Sequence, residues 1–467
     1  MTLGLTQYTR EFRGNFSLAA PVMFGQAANV FVGLVDNYML ARLGGAEGQT
    51  ALAAAAAANA IFILVLLIGT GISCGMTPFI SFSNASKDTG EINNILRNGF
   101  ALNLAVGIAF AALLYLCAPV LALPALGQSE NVAALAVPYL RIVGFSLIPV
   151  MVFLTHKQLA DGLARTWPGM MAVIISNFIN IAANYALIYG NWGAPKMGVE
   201  GAAWGTFISR VGLVFIMLAV FYLKPKFRPF LSVNLLKGIK ARVVKKILGI
   251  GIPSGLQMLF EVGVFSAATL LAGRFGETYQ AAHQIAGQMT GFTYTFVSGL
   301  AVAATIRVSY FLGKNNVSDI KRVTTSLIIM VVMIMGVFGI GYIALRETIP
   351  RFFIDSDQLV SIAAPLFLVA AAFQLFDGIQ VVSQGALRGL QDVKIPTIIT
   401  AAGYWAIAFP LAVLLSVTFG MKTLGIWIGL ASGLIFCAVM LILRFYREVG
   451  KLQKTGNLKH TISDESA

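Results

Sequence analysis

Histidine and cysteine are almost missing from this chain, with three of each in 467 residues. Cys74, Cys117 and Cys437 stand singly in apolar runs, with no CxxC pair and no metal-ligand spacing, so they read as small packing residues. His156, His283 and His460 are scattered, which argues against a haem, zinc or di-iron membrane enzyme. No acid–His set or nucleophile motif occurs either. The expectation is a protein that is not an enzyme and carries no cofactor. Charge is also scarce, 11% of residues against about 25% in a soluble domain. Hydrophobic residues make up 58%, the mean hydropathy is +0.81, and apolar runs long enough to cross a bilayer recur end to end. A sizeable soluble domain has no room.

The charge that remains is lopsided, with 33 Lys plus Arg against 19 Asp plus Glu, a net +14. Nucleic acid is a poor explanation, because eight basic residues and no acid crowd between Lys224 and Lys246, at one junction between two apolar runs. That is the signature of a cytoplasmic loop beside anionic membrane lipid. A charged leader (Arg10, Glu11, Arg13) precedes a run longer than a signal-peptide core, so the first run reads as an uncleaved span.

Twelve apolar segments are expected, at about 15–41, 51–81, 96–118, 133–156, 168–190, 199–223, 245–272, 281–311, 323–345, 359–386, 396–418 and 424–446. Junctions after even-numbered segments carry Lys87, Arg97, Lys157, Arg165, the Lys224–Lys246 cluster, Lys314, Lys321, Arg322, Arg388 and Lys394. Those after odd-numbered segments carry only Arg42, Lys196, Arg274, Arg346, Arg351 and Lys422. The positive-inside rule then puts both termini in the cytoplasm. Beyond Arg447 a polar tail is expected to be disordered.

The chain also matches itself at an offset of about 230 residues. Pro21, Arg42 and Gly44 correspond to Pro253, Arg274 and Gly276; Gly71, Thr77 and Ser81 to Gly299, Thr305 and Ser309; Pro138 to Pro365; Gly201 and Gly205 to Gly425 and Gly429. Each half holds six spans, and an even number returns the chain to its starting side, so the repeats are parallel. The expected fold is all-α and integral to the membrane: two parallel six-helix lobes related by a pseudo-twofold axis along the membrane normal. Residues 1–223 form the N-lobe, 224–244 the basic inter-lobe loop, 245–446 the C-lobe and 447–467 a cytoplasmic tail.

Three acids break the pattern. Asp36, Glu261 and Asp377 lie within apolar runs, while the other sixteen are assigned to loops or tails. A carboxyl at bilayer depth costs several kcal/mol unless it meets a cation, a partner or a wet cavity, so each is a candidate functional group. Gln374, Asp377 and Gln384 share one side of their helix and form a polar stripe. The alternative is a packed polar pair bridging two helices. Asn180 and Asn184 stand one turn apart, and with Asp36 and Thr206 they make a hard-oxygen set suited to Na⁺ or a proton. Amides and hydroxyls also join helices, and Asp36 could merely mark a helix end. Tyr294 either offers a ring face to a cation or packs against lipid. Gln284, beside His283 at the start of the eighth run, and Gln374 complete the C-lobe candidates. Arg210, one turn after Thr206, either pairs with Asp36 or snorkels into a wet cleft.

Several stretches resemble the multidrug and toxic compound extrusion (MATE) family, its bacterial NorM-type branch above all: GLVDNYMLARLGG (33–45), GLARTWPGM (162–170), NIAANYALIYG (180–190), FEVGVFSAATLL (260–271), AAHQIA (281–286), TIRVSYFLG (305–313) and FQLFDGIQVVSQGALRGLQD (373–392). The resemblance implies a multi-pass protein of the bacterial plasma membrane, working as a monomer. It would exchange lipophilic, often cationic drugs for Na⁺ or H⁺ by alternating access. It also implies cation and substrate binding at Glu261 and Asp377 near Tyr294, and a second cation site at Asp36, Asn180 and Asn184. Two alternatives stand beside it. A lipid-linked oligosaccharide flippase of the same superfamily would have a basic cavity and usually fourteen spans. A non-transport membrane scaffold would tolerate neutral amides at all three acids.

Overall fold

The structure is a computed structural model that describes residues 5–122, 129–231 and 234–455. Among these there are helices, turns and connecting segments, with no strand. Twelve helices among the described residues are long and apolar enough to cross a membrane. Spans 1 to 6 are Arg10–Ala41, Gly45–Ala85, Thr89–Ala122, Glu130–Gly162, Trp167–Tyr189 and Gly198–Leu223; spans 7 to 12 are Ala241–Gly273, Glu277–Gly313, Val317–Ala344, Asp357–Gly389, Lys394–Thr418 and Lys422–Lys454. Every expected run is recovered.

Most helices continue past the apolar runs, because polar residues cap them outside the hydrocarbon. Asp88 accepts from the Glu91 amide at 2.9 Å to start span 3, and Asn316 accepts from the Asp319 amide at 3.1 Å to start span 9. Ser129 and Ser356 do the same for spans 4 and 10. The last helix runs through Arg447 to Thr455, where a disordered tail was expected; residues 456–467 lie outside the described residues. Pro21, Pro138, Pro253 and Pro365 all lie inside helices, each removing one ladder hydrogen bond. Span 11 carries π-type turns at Ala402–Ala408 and Leu414–Thr418 on either side of Phe409–Val413.

The chain divides into two compact units. One comprises Phe24–Ile80 and Asp88–Gly255; the other runs up to Met23, takes in Ser81–Lys87 and continues from Leu256. Spans 1 and 7 are therefore each divided just after their proline. Small residues make the close approaches. In the first unit, a Cβ on Gly71 would come within 2.2 Å of the Gly255 backbone. In the second, the corresponding Gly299 faces Ala19 and Met23 at 2.7 Å and 2.6 Å. The repeat recurs in finer contacts. Gly162 packs on Thr77 and Ile80, and Gly389 packs on Thr305 and Val308, in their own units. Gly201 and Gly205 pack on span 5, while Gly425 and Gly429 pack on span 11. Only glycine permits these approaches, so the sequence periodicity is a periodicity of helix contacts.

Candidate functional site

Glu261 and Asp377 belong to the unit that continues from Leu256, on spans 7 and 10. Asp377 is 4% exposed and Glu261 is half-buried, and the two carboxyls act on one another electrostatically. No hydrogen bond or ion pair within bonding distance reaches either of them from the described residues. A buried carboxylate without a partner is costly, so this space favours a proton or an external cation. Tyr294 on span 8 and Tyr404 in the first π-type turn of span 11 lie within the electrostatic reach of both acids. The sequence reading missed Tyr404, because one more aromatic in a membrane helix carries no signal of its own.

The amides of span 10 divide between neighbours. Gln374 is fully buried; its Nε2 donates to the Thr293 hydroxyl and, at 3.1 Å, to the Tyr342 hydroxyl, while its Oε1 is left without a partner. Gln380 exchanges hydrogen bonds with the Tyr404 hydroxyl at 2.8 Å and 3.1 Å, and Gln384 donates to Thr400 at 3.3 Å. These bonds hold span 10 against spans 8, 9 and 11 and fix where Asp377 points. Gln284 is exposed and stands about 15 Å along span 8 from Tyr294. Its neighbour His283 is buried, 3.2 Å from the Thr269 hydroxyl and against the Trp427 ring.

The second cluster forms in the other unit. Asn184 Nδ2 donates to Asp36 Oδ1 at 2.7 Å and to Asn180 Oδ1 at 3.3 Å. Asn184 Oδ1 is buried and has no partner, so a carboxylate, an amide oxygen engaged once and a free amide oxygen converge. That donor set fits a hard monovalent cation. Among the described residues no group of three His, Cys, Asp or Glu could hold a transition metal. The Thr206 carbonyl accepts from Ser209, and among the described residues no hydrogen bond joins its hydroxyl to the cluster. Arg210 does not form an ion pair with Asp36. Its Nη1 donates to the Ser146 hydroxyl at 2.5 Å and its guanidinium lies 4.4 Å from the Phe62 ring centre.

Gly205 makes room for this cluster, since a Cβ there would lie 2.0 Å from Asn184 Oδ1. Gly205→Ala is expected to turn the Asn184 amide away from Asp36 and lower stability by about 1–2 kcal/mol. Because the worst contact is with the Asn184 side chain, leaving only its backbone N at 3.2 Å, the same substitution made on top of Asn184→Ala should cost much less than it does alone. Thermal unfolding of the two single variants and the double variant measures this; additive losses would refute it.

Two acids assigned to loops or tails are instead buried in helices. Glu11 is 5% exposed in span 1, and Asp161 is 1% exposed in span 4, paired with Lys157 at 2.7 Å. Both sit near helix ends beside basic residues, so their sequence context resembles that of a solvated flank.

Two regions of the chain, residues 21–186 and 253–414, match the MatE family model. The chain is 30% identical over 442 residues to a protein named probable multidrug resistance protein NorM from Bradyrhizobium diazoefficiens, covering 93% of each. It is 30% identical over 451 residues to multidrug resistance protein MdtK of Yersinia pseudotuberculosis, covering 94% of this chain and 96% of that one. Among solved structures, a MATE transporter in its bent conformation superposes with a TM-score of 0.85 at 19% identity, over 98% of this chain and all of that one. A eukaryotic MATE transporter, AtDTX14, superposes at 0.83 with 18% identity, over 96% of this chain and all of that one. At such identities the structural matches speak for the fold alone.

Proposed function

Because the chain belongs to the MatE family, whose curated relatives are multidrug resistance proteins, we propose that it is a multidrug efflux transporter working as a secondary antiporter. It expels lipophilic, often cationic compounds in exchange for Na⁺ or H⁺ across the plasma membrane by alternating access, with residues 1–223 and 245–446 as its functional lobes. The observation that carries this reading is the pair Glu261 and Asp377, a half-buried and a buried carboxyl that interact and have no hydrogen-bond or ion-pair partner among the described residues. A proton, a metal cation or a cationic drug each offsets negative charge on the pair, and binding of one disfavours the others. Exchange follows, since neither acid is favourable at depth with its charge uncompensated. Tyr294, near the same acids, suits an aromatic or quaternary cation, while Tyr404 is buried against Gln380. Asp36, Asn180 and Asn184 provide a second coupling site with oxygen donors for Na⁺.

Ethidium efflux from energised vesicles tests the proposal, driven by a Na⁺ gradient alone and then by a pH gradient alone. Efflux driven by either gradient supports antiport and identifies the coupling ion. Efflux that follows neither gradient would overturn it.

A further inference from the structure

The unit that holds Asp36 carries a second feature, a groove of about 480 Å³ between spans 3, 4 and 6. Pro138, Ile142, Ile148 and Phe207 give it an apolar lining, and Tyr115, Phe145 and Trp204 stand exposed at its edge. One charge lies in it. Arg141 is eleven residues into span 4, inside an apolar run. Its guanidinium rests 4.8 Å from the Tyr115 ring centre, its Nε is buried without a hydrogen-bond partner, and it joins none of the described ion pairs. A cation at bilayer depth facing only an aromatic ring is electrostatically incomplete.

Topology places the groove in one leaflet. Tyr115 is seven residues before the end of span 3, and Trp204 is six residues after the start of span 6. These are distances of about 11 Å and 9 Å along the helices. The end of span 3 and the starts of spans 4 and 6 share one side of the membrane, because successive spans cross in opposite directions. Side chains lean toward the N-terminus of their helix, so Arg141 reaches toward that same surface, where headgroups lie. Arg141 starts about 16 Å along span 4 and extends back toward the headgroups, so the apolar trough beside it has the polarity of a phospholipid. A cationic drug does not suit it, being repelled by Arg141.

We propose that this groove binds an anionic phospholipid of the surrounding bilayer, with its phosphate on Arg141 and an acyl chain along Ile142, Phe145 and Phe207. The assignment is independent of the coupling carboxyls. Trp204 reports on it directly. The full chain in nanodiscs of dibrominated phosphatidylglycerol or dibrominated phosphatidylcholine should show Trp204 quenching, read as the difference between wild type and Trp204→Phe. One cation near a headgroup contributes about 1 kcal/mol, so about a fivefold preference for phosphatidylglycerol is expected. Arg141→Gln should remove the preference and Arg141→Lys should keep most of it. Quenching by phosphatidylcholine should be unchanged in both, showing that the groove is intact. Equal quenching by the two lipids in wild type, a preference that survives Arg141→Gln, or a Trp204 that no lipid quenches would each overturn the proposal.

Discussion

Asp377→Asn is expected to reduce ethidium efflux about 100-fold while leaving the thermal midpoint unchanged or higher. The two halves of that result have one cause. The Asp377 carboxyl is 4% exposed, interacts with Glu261 and has no donor or cation among the described residues. An isosteric amide therefore breaks no internal bond and removes a charge that was costly to bury, which spares or raises stability. The same charge is what a drug cation or coupling ion engages. Losing one buried charge–charge contact of about 3 kcal/mol corresponds to about a 100-fold weaker interaction. Glu261→Gln should behave alike, and the double variant should be no worse than either single one, since a site that works as a pair is already lost when one member goes. A loss of efflux accompanied by a fall of several degrees in the midpoint would mark Asp377 as a structural bridge between helices. Undiminished efflux would remove it from the site.

Much of this site was legible in the sequence because hydrocarbon makes an unusually clean background. An acid in an apolar run stands out by composition alone, and Asn180 and Asn184 signalled a shared helix face by their spacing, which the bonds from Asn184 to Asp36 and Asn180 bear out. The glycine and proline correspondences were legible for a related reason. They record close backbone approaches, and few residue types satisfy those. Three kinds of feature were illegible. Side-chain direction was one: Arg210 could reach several neighbours, and packing sent it to Ser146 and Phe62 instead of Asp36. Backbone irregularity was another. The π-type turn that carries Tyr404 has no residue signature, yet it sets that hydroxyl against Gln380. The third was burial at helix ends, where Glu11 and Asp161 look like any polar flank until the surrounding helices are placed.

Glu11 leads to the second large effect, this time on stability. Its carboxylate accepts from Arg307 Nη2 at 2.5 Å and from Arg322 Nε at 3.1 Å, so one buried acid holds arginines from spans 8 and 9. Around it, Asn15 Oδ1 accepts from Arg307 at 2.6 Å, Asn15 Nδ2 donates to Ser326 at 2.7 Å, and Asp319 takes the other side of Arg322. Gly14 leaves space for the Arg307 guanidinium, whose Nη1 lies 3.1 Å from where a Cβ would stand. The beginning of span 1, up to Met23, is thus fastened to spans 8 and 9 of its own unit by a connected polar network. Glu11→Gln keeps the size of the side chain but leaves Arg307 without a counter-charge and Arg322 with Asp319 alone. It should cost about 2–3 kcal/mol, below the full range for a buried pair because both arginines retain other partners and some solvent. Glu11→Gln and Arg307→Gln should together cost less than their sum by about 1–2 kcal/mol. Hydrogen exchange locates the loss. Amides from residue 10 to 23 should exchange faster in Glu11→Gln, while those from 24 to 41, which belong to the unit of Asp36, stay protected. If both stretches loosen together, or neither does, the network does not fasten the start of span 1 and Glu11 is only one more acid in a helix.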